Sequence, residues 1–284
     1  MAFNRLQGIF PVFKPQNITS SQLLELIKMQ LKRDANSNAP IKMGHGGTLD
    51  KNATGILVVG INEGCAQLPA FLDGSKVYFG NCVFGRATDT YNNEGQTTME
   101  KPYDHITLTE INDFKAAIKG EVLQKPPPYS ALKLQGRRLS DLAREGVPVD
   151  PKPRLVTCYD FTVIEFAPPK LTFELSCSKG FYVRSLVHDL GIVLNSCAYL
   201  DTLERTRQGP FETQHCLTEE QCTVTGIRKK ILEMQQVTRE YLDIQMEKYR
   251  LRNSLQSQNQ KFVNRKYFES SIHNKKYDQW DYAK

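Results

Sequence analysis

The sequence predicts an α+β fold: a mixed, mostly antiparallel central sheet flanked by helices, with a helical extension at the C-terminus. Three observations predict it. Strand-length apolar runs and helical periodicities mix along the chain without a regular strand–helix alternation. Two runs, Leu155–Phe166 and Leu171–Cys177, are joined at Pro168-Pro169 and look like paired strands. From about Gly226 apolar residues recur near helical spacing through Ile227, Ile231, Met234, Val237, Tyr241 and Ile244.

Taken in order, GIFPVFK at 8–14 reads as a short strand ended by Pro15, and Ser20–Lys32 as a helix with Leu23, Ile27 and Leu31 on one face. The segment 34–40 is a loop. A glycine-rich turn, GHGGTLD at 44–50, leads into a strand over 55–61, and Lys76–Gly85 is another strand. Thr107 and Glu110 form a capping box before a helix with Ile111, Phe114 and Ile118 inward. Three prolines at 126–128 stiffen an extended segment, and a short helix follows over 138–145. Phe181–Ser185 reads as strand running into a helix near 186–194. Beyond Asn253 the chain turns polar, and a loosely ordered end is expected there. The expected division is a catalytic domain over 1–225 and a basic helical extension with a partly disordered tail over 226–284.

The 284 residues leave room for a sizeable core, and hydrophobic content of 40% with 24% charged is ordinary for a globular chain. No stretch is long and apolar enough to cross a bilayer. The N-terminus lacks a secretory h-region, although it is acid-free up to Glu25, as transit peptides are. The seven cysteines are scattered, odd in number and without a CxxC pair, which argues against a zinc cluster or a disulfide framework. Reduced, mostly buried thiols in an intracellular protein are expected, in the nucleus, the cytoplasm or the mitochondrion. Residues 1–225 carry 24 basic and 24 acidic side chains, whereas 226–284 carry 13 and 7. The whole net charge of +6 therefore sits in the tail, which suits either a polyanion partner or a solvated surface.

Four segments could carry chemistry. GHGGTLD ends in a carboxylate, Asp50, beside glycines that allow close approach, and it lacks the Lys-Ser/Thr ending of a phosphate loop. It is either a plain glycine turn or one that presents Asp50. In KGFYVRSLVHDLG at 179–191, Tyr182 and Arg184 stand two apart on the predicted strand and so face one side. An inward Arg184 needs an anionic partner, for which Asp50 is a candidate; otherwise it is a surface arginine. His188-Asp189, with no matching metal set elsewhere, reads as helix surface. Tyr78 reads as a strand tyrosine packed in the core. The stretch 124–138, with Tyr129, Lys133, Arg137 and Arg138, is either a surface brace or a grip on an RNA backbone.

Together and in this order, GIFPVFKP at 8–15, KMGHGGTLDKNATGILVVG at 42–60, Lys76–Tyr78, Gly85–Thr90, PPPYSALK at 126–133 and the 179–191 segment resemble the TruB family of tRNA pseudouridine-55 synthases. The likeness runs from Gly8 to about Phe211, and GGTLD with RTRQGPF at 205–211 is closer to its eukaryotic branch. The resemblance implies the pseudouridine synthase fold and isomerisation of uridine to pseudouridine in the T-loop of tRNA. The partner implied is a tRNA T-stem-loop, with mRNA as a further candidate. Neither metal nor organic cofactor is implied, nor any membrane partner, and a monomer is the default.

By the same resemblance Asp50 is the catalytic carboxylate, Arg184 its partner, and Tyr182 the tyrosine near C5 of the base. Tyr78 is the aromatic that stacks on the target uracil, and Leu203 an apolar wall. His45 helps displace the target nucleotide, and Lys14 lines the site. Two positions depart from the bacterial pattern: Lys51 replaces a proline after the aspartate, and Asn92 an acidic residue. A C-terminal PUA domain is not recognisable. The rival readings are a non-catalytic RNA chaperone on the same fold, and a glycosidase-like hydrolase, which would usually need a second carboxylate.

Overall fold

The computed structural model describes residues 6–254. Chain order is β1 (Gly8–Lys14), α1 (Ser20–Asp34), β2 (Met43–His45), β3 (Thr54–Ile61), α2 (Leu68–Asp73), β4 (Lys76–Phe84), β5 (Arg86–Thr88), β6 (Thr97–Glu100) and α3 (Leu108–Ile118). It continues with β7 (Gly120–Gln124), β8 (Lys133–Leu134), β9 (Arg137–Arg138), α4 (Leu139–Arg144), β10 (Arg154–Ala167) and β11 (Lys170–Cys177). The last elements are α5 (Val183–Val193), β12 (Ala198–Gln208), β13 (Phe211–Glu212) and α6 (Val224–Glu233). This is the expected α+β class.

One large sheet runs β1-β3-β12-β4-β11-β10-β7, with β2 added to β3 and β13 to β12. The β3–β12 contact is parallel and the other pairings in this sheet are antiparallel. Its register aligns Lys14 with Gly55, Gly55 with Arg205, Arg205 with Tyr78 and Tyr78 with Leu175. A single row across five strands therefore brings two cations and a tyrosine, far apart in sequence, side by side.

Two apolar clusters hold the sheet. One joins β1, β3, α1 and α6 through Phe10, Val12, Leu57, Val59, Leu23, Ile27, Leu31 and Ile227. The other joins β4, β10, β11, α3 and α5 through Phe84, Phe161, Phe173, Leu175, Ile111, Leu186 and Leu190. Thr19 and Gln22 close a capping box on α1, and Thr107 with Glu110 does the same on α3, as the sequence predicts for the latter. All seven cysteines are free thiols, five of them buried. Among the described residues no helix is long and apolar enough to cross a membrane.

The expected boundary at residue 225 falls inside the main unit, which runs to Thr238. The reason is α6: Ile227 is fully buried and Ile231 packs on the same cluster, so this helix completes the core under β1. Residues 235–254 are helical, and those from Arg239 count as a second unit. The loosely ordered end expected past residue 254 lies outside the described residues.

The strand expected over 181–185 is absent. Helix α5 begins at Val183, with Tyr182 as its N-cap and Arg184 in its first turn. Gly180 takes a positive φ of 74° and turns the chain out of β11. The Gln124 side chain then grips Tyr182 from both sides, accepting from its N–H (2.8 Å) and donating to its carbonyl (3.0 Å). Tyr182 and Arg184 consequently reach the site from a helix start, and the same-side argument from a strand does not apply.

Candidate active site

Asp50 sits at the end of a short loop between β2 and β3. Leu49, buried, anchors that loop by exchanging two hydrogen bonds with the Ser20 hydroxyl, at 3.0 and 3.3 Å. Gly47 holds φ at 144°, and its carbonyl accepts from Arg205 Nη2 at 3.0 Å. Gln208 Nε2 donates to the Gly46 carbonyl. After Asp50 a tight turn closes with Ala53 N–H on the Asp50 carbonyl, 3.1 Å, and the strand begins. The loop is thus fixed from below at three carbonyls and presents one carboxylate.

Arg184 meets that carboxylate with both edges of its fork: Nε lies 2.7 Å from Oδ2, and Nη2 3.2 Å from Oδ1. The Arg184 side chain is 6% exposed, the Asp50 side chain 42%. Arg184 spends its other bonds on backbone, Nη1 on the Thr90 carbonyl (3.0 Å) and Nη2 on the Tyr129 carbonyl (2.8 Å). A buried guanidinium so satisfied is held rigidly, while the carboxylate keeps an open side. Asp50 lines a recess together with Ala53, Asn92, Arg184, Leu200 and Leu203.

The expected residues distribute unevenly around this pair. Leu203 lines the recess with Asp50 and Arg184. Tyr78 and Tyr182 both lie within electrostatic reach of Asp50. Burial raises the Tyr78 phenol, opposed by the Arg205 guanidinium beside its hydroxyl. Burial also raises the Tyr182 phenol, opposed by the Ser130 hydroxyl and by Arg184. Tyr78 is only 8% exposed, with its ring in the core cluster. Lys14 is fully buried, and its ammonium donates to the carbonyls of Pro15 (2.8 Å), Ile18 (2.8 Å) and Lys51 (3.1 Å). Its three donors are used, so it clamps the turn after Asp50. Burial pulls its pKa down to about 8, although the Asp50 charge works the other way. His45 is half-buried on β2 and has Arg205 as its charged neighbour. Burial first and that cation second lower its pKa.

Several supporting residues escape sequence reasoning. Arg205 is 1% exposed and ties β12 to the Ile56 carbonyl (2.8 Å) as well as to Gly47. Its only signal is its place in RTRQGPF, a stretch that says nothing of burial. Gln208 and Gln124 are equally buried amides without a local pattern. Asn52 donates to Asn93 (2.8 Å), and Asn93 to the Asp201 carbonyl (2.9 Å), which pins the turn after Asp50 to β12. Among the described residues no group of three or more His, Cys, Asp or Glu is placed to hold a metal.

The chain is similar to known proteins. Residues 32–183 match the N-terminal domain of the TruB family pseudouridylate synthases. Pseudouridylate synthase TRUB1 of Mus musculus is 43% identical over 237 residues, 80% of this chain and 70% of its own. TRUB1 of Homo sapiens is 44% identical, covering 80% and 68%. The tRNA pseudouridine synthase B of Syntrophotalea carbinolica is 39% identical over 215 residues, covering 76% and 68%. Among solved structures, a Cbf5-Nop10-Gar1 complex matches with TM-score 0.55 and 27% identity, over 74% of this chain. The chain spans about half the length of that structure's matching chain, 52%. The fold is that of the pseudouridine synthases. Within that class the chain belongs to the TruB family of pseudouridylate synthases, enzymes that turn uridine into its carbon-linked isomer.

Proposed function

We propose that this chain isomerises uridine to pseudouridine at position 55 in the T-loop of tRNA, with Asp50 as the reacting carboxylate. The observation that carries the reading is the Arg184–Asp50 pair, a buried guanidinium holding a half-open carboxylate at 2.7 and 3.2 Å. The similarity to bacterial tRNA pseudouridine synthases B supports tRNA as the substrate.

The reaction breaks the C1′–N1 bond and joins C1′ to C5 of the same base. The carboxylate acts at C6 of the uracil or at the ribose, and either route draws on an ionised, oriented Asp50. The target base must first leave its stack, at a cost of a few kcal/mol. Tyr78 offsets part of it by stacking, worth about 1–3 kcal/mol. Leu203 walls the other side, excludes water and keeps the detached uracil from escaping. Tyr182, or a water it orients, takes the proton from C5. Lys14 serves through the Lys51 carbonyl, and His45 helps displace the nucleotide. The chain acts as a monomer within the cell, and mRNA hairpins that present uridine like a T-loop are a second substrate class.

The test is an unmodified T-stem-loop incubated with the protein alone, read by carbodiimide-blocked primer extension and by tritium release from 5-tritiated uridine. Wild type should convert the uridine at position 55 of the loop. Asp50→Asn should convert none, with RNA affinity kept within a few fold. Near-normal turnover by Asp50→Asn would exclude this carboxylate, and free uracil as product would indicate hydrolysis instead.

A further inference from the structure

His188 is not the surface residue its sequence context suggests. It is half-buried and stacks on Tyr91, with ring centroids 3.8 Å apart and planes 7° from parallel. Its Nδ1 atom is buried without a hydrogen-bond partner among the described residues, so this side of the ring is held by contact alone. His188 lies one helical turn after Arg184 on α5. Tyr91 directly follows Thr90, whose carbonyl accepts from Arg184 Nη1 at 3.0 Å. Each partner of the stack is therefore a short step from one end of the same hydrogen bond.

The backbone at Tyr91 is unusual as well. Its φ is 61°, a left-handed conformation uncommon for a bulky side chain. Neighbours hold it there: Tyr91 N–H donates to the Thr88 carbonyl (3.2 Å), Leu200 N–H to the Tyr91 carbonyl (3.0 Å), and Asn93 N–H to the Leu200 carbonyl (3.1 Å). These bonds dock the 88–93 turn on β12, and the ring stack docks it on α5. Strained backbone persists where the surroundings over-determine it, and it clusters at sites where geometry matters.

We propose that Tyr91 and His188 are positioning residues for the reaction. The stack holds the Thr90 carbonyl against Arg184, and the guanidinium so fixed keeps its fork on Asp50. Neither ring touches the substrate. The inference rests on the reading of Asp50 as the reacting group.

Three measurements on His188→Ala and His188→Phe test it, with Tyr91→Leu as the partner variant should His188→Ala fold poorly. The first is single-turnover isomerisation of the T-stem-loop. The alanine variant should slow about fivefold to tenfold, the phenylalanine variant should recover most of the rate because its flat ring still stacks, and RNA affinity should hold within about twofold. The second is the cycle with Arg184→Lys: once Arg184 is changed, removing His188 should slow the reaction no further. The third needs no activity. The Arg184 Nε proton, which points at Asp50, should exchange several-fold faster in His188→Ala, read by nitrogen-15 NMR. An unchanged rate, a phenylalanine variant as slow as alanine, multiplicative effects in the cycle, or unchanged proton exchange would each overturn the proposal. Failure of the wild type on every RNA would instead strike at the enzymatic reading, and the exchange measurement would still decide the role of the stack.

Discussion

Arg184 holds both carboxylate oxygens of Asp50 while standing almost wholly out of solvent, its Nε 2.7 Å and its Nη2 3.2 Å from them. A lysine at 184 carries the charge but cannot reproduce the planar fork, and it would leave the Thr90 or Tyr129 carbonyl without a donor. Misplacing a reacting group by an ångström can cost about 100-fold in rate. Arg184→Lys should therefore lower the single-turnover rate by about that factor, with tRNA affinity little changed, because the buried guanidinium bonds to Asp50 and to the Thr90 and Tyr129 carbonyls. A rate within a few fold of wild type would mean that the two-point grip is dispensable.

Elements with a local signature were legible in the sequence. The apolar strand over 55–61 and the Thr107/Glu110 cap depend on neighbours within a few residues. The central strand β12 left no such trace. Its run AYLDTLERTRQ is rich in charge, and two irregularities, at 200/202 and 205/207, break the alternation a strand should show. Its charged residues make sense only in three dimensions, where Arg205 is buried between the Ile56 and Gly47 carbonyls. Asp50 and Arg184 could be named as partners from charge balance and from family likeness. The backbone carbonyls that fix Arg184, and the helix start that carries it, required the fold.

In the proposed mechanism Tyr78 stacks its ring on the target base, while its hydroxyl meets Arg205. The two parts can be separated. Tyr78→Phe keeps the ring, so the rate should stay within a few fold while stability drops by about 1 kcal/mol for the lost hydroxyl contact. Tyr78→Leu should weaken the reacting complex by about 1–3 kcal/mol, the worth of one base–aromatic stack. Urea unfolding alongside single-turnover rates distinguishes these contributions. Equal loss of rate in the two variants would assign the role to the hydroxyl and not to the face of the ring.

Gly55 lies where β3 runs alongside β12. Its φ is 101°, and a Cβ there would meet the Arg205 carbonyl oxygen at 2.3 Å and its nitrogen at 2.7 Å. Backbone cannot swing aside as a side chain can, so Gly55→Ala must part the two strands. Overpacking of this kind costs about 1–3 kcal/mol. The same displacement moves Arg205, which holds the Gly47 carbonyl, so activity should fall further than stability alone predicts. Denaturant midpoints and turnover below the unfolding transition check the two effects; a variant as stable as wild type would show that the strands have slack at this crossing.

Lys14 offers a test through pH. Its ammonium, fully buried, sits on three carbonyls and titrates near 8 because burial disfavours the charged form. In the unfolded chain the same group titrates at its ordinary 10.5. Between those two values the unfolded state binds more protons than the folded one, so this lysine makes the protein more stable as pH rises from about 8 to 10.5. Lys76, buried and likewise depressed to about 8, acts in the same direction. Buried thiols act oppositely: Cys177 and Cys222, pushed up to about 12, cost stability once pH passes their ordinary value of 9. The total curve mixes these trends, and the difference between wild type and Lys14→Met isolates one. The variant orphans the carbonyls of Pro15, Ile18 and Lys51, and each unsatisfied buried group costs about 1–3 kcal/mol, so it should be less stable at neutral pH. Its deficit should then widen steadily from pH 8 to 10.5, since wild type alone sheds the cost of burying a charge at residue 14. A gap that stays constant across that range, measured by urea unfolding, would show that Lys14 does not lose its proton there and that its three carbonyl bonds outweigh its burial.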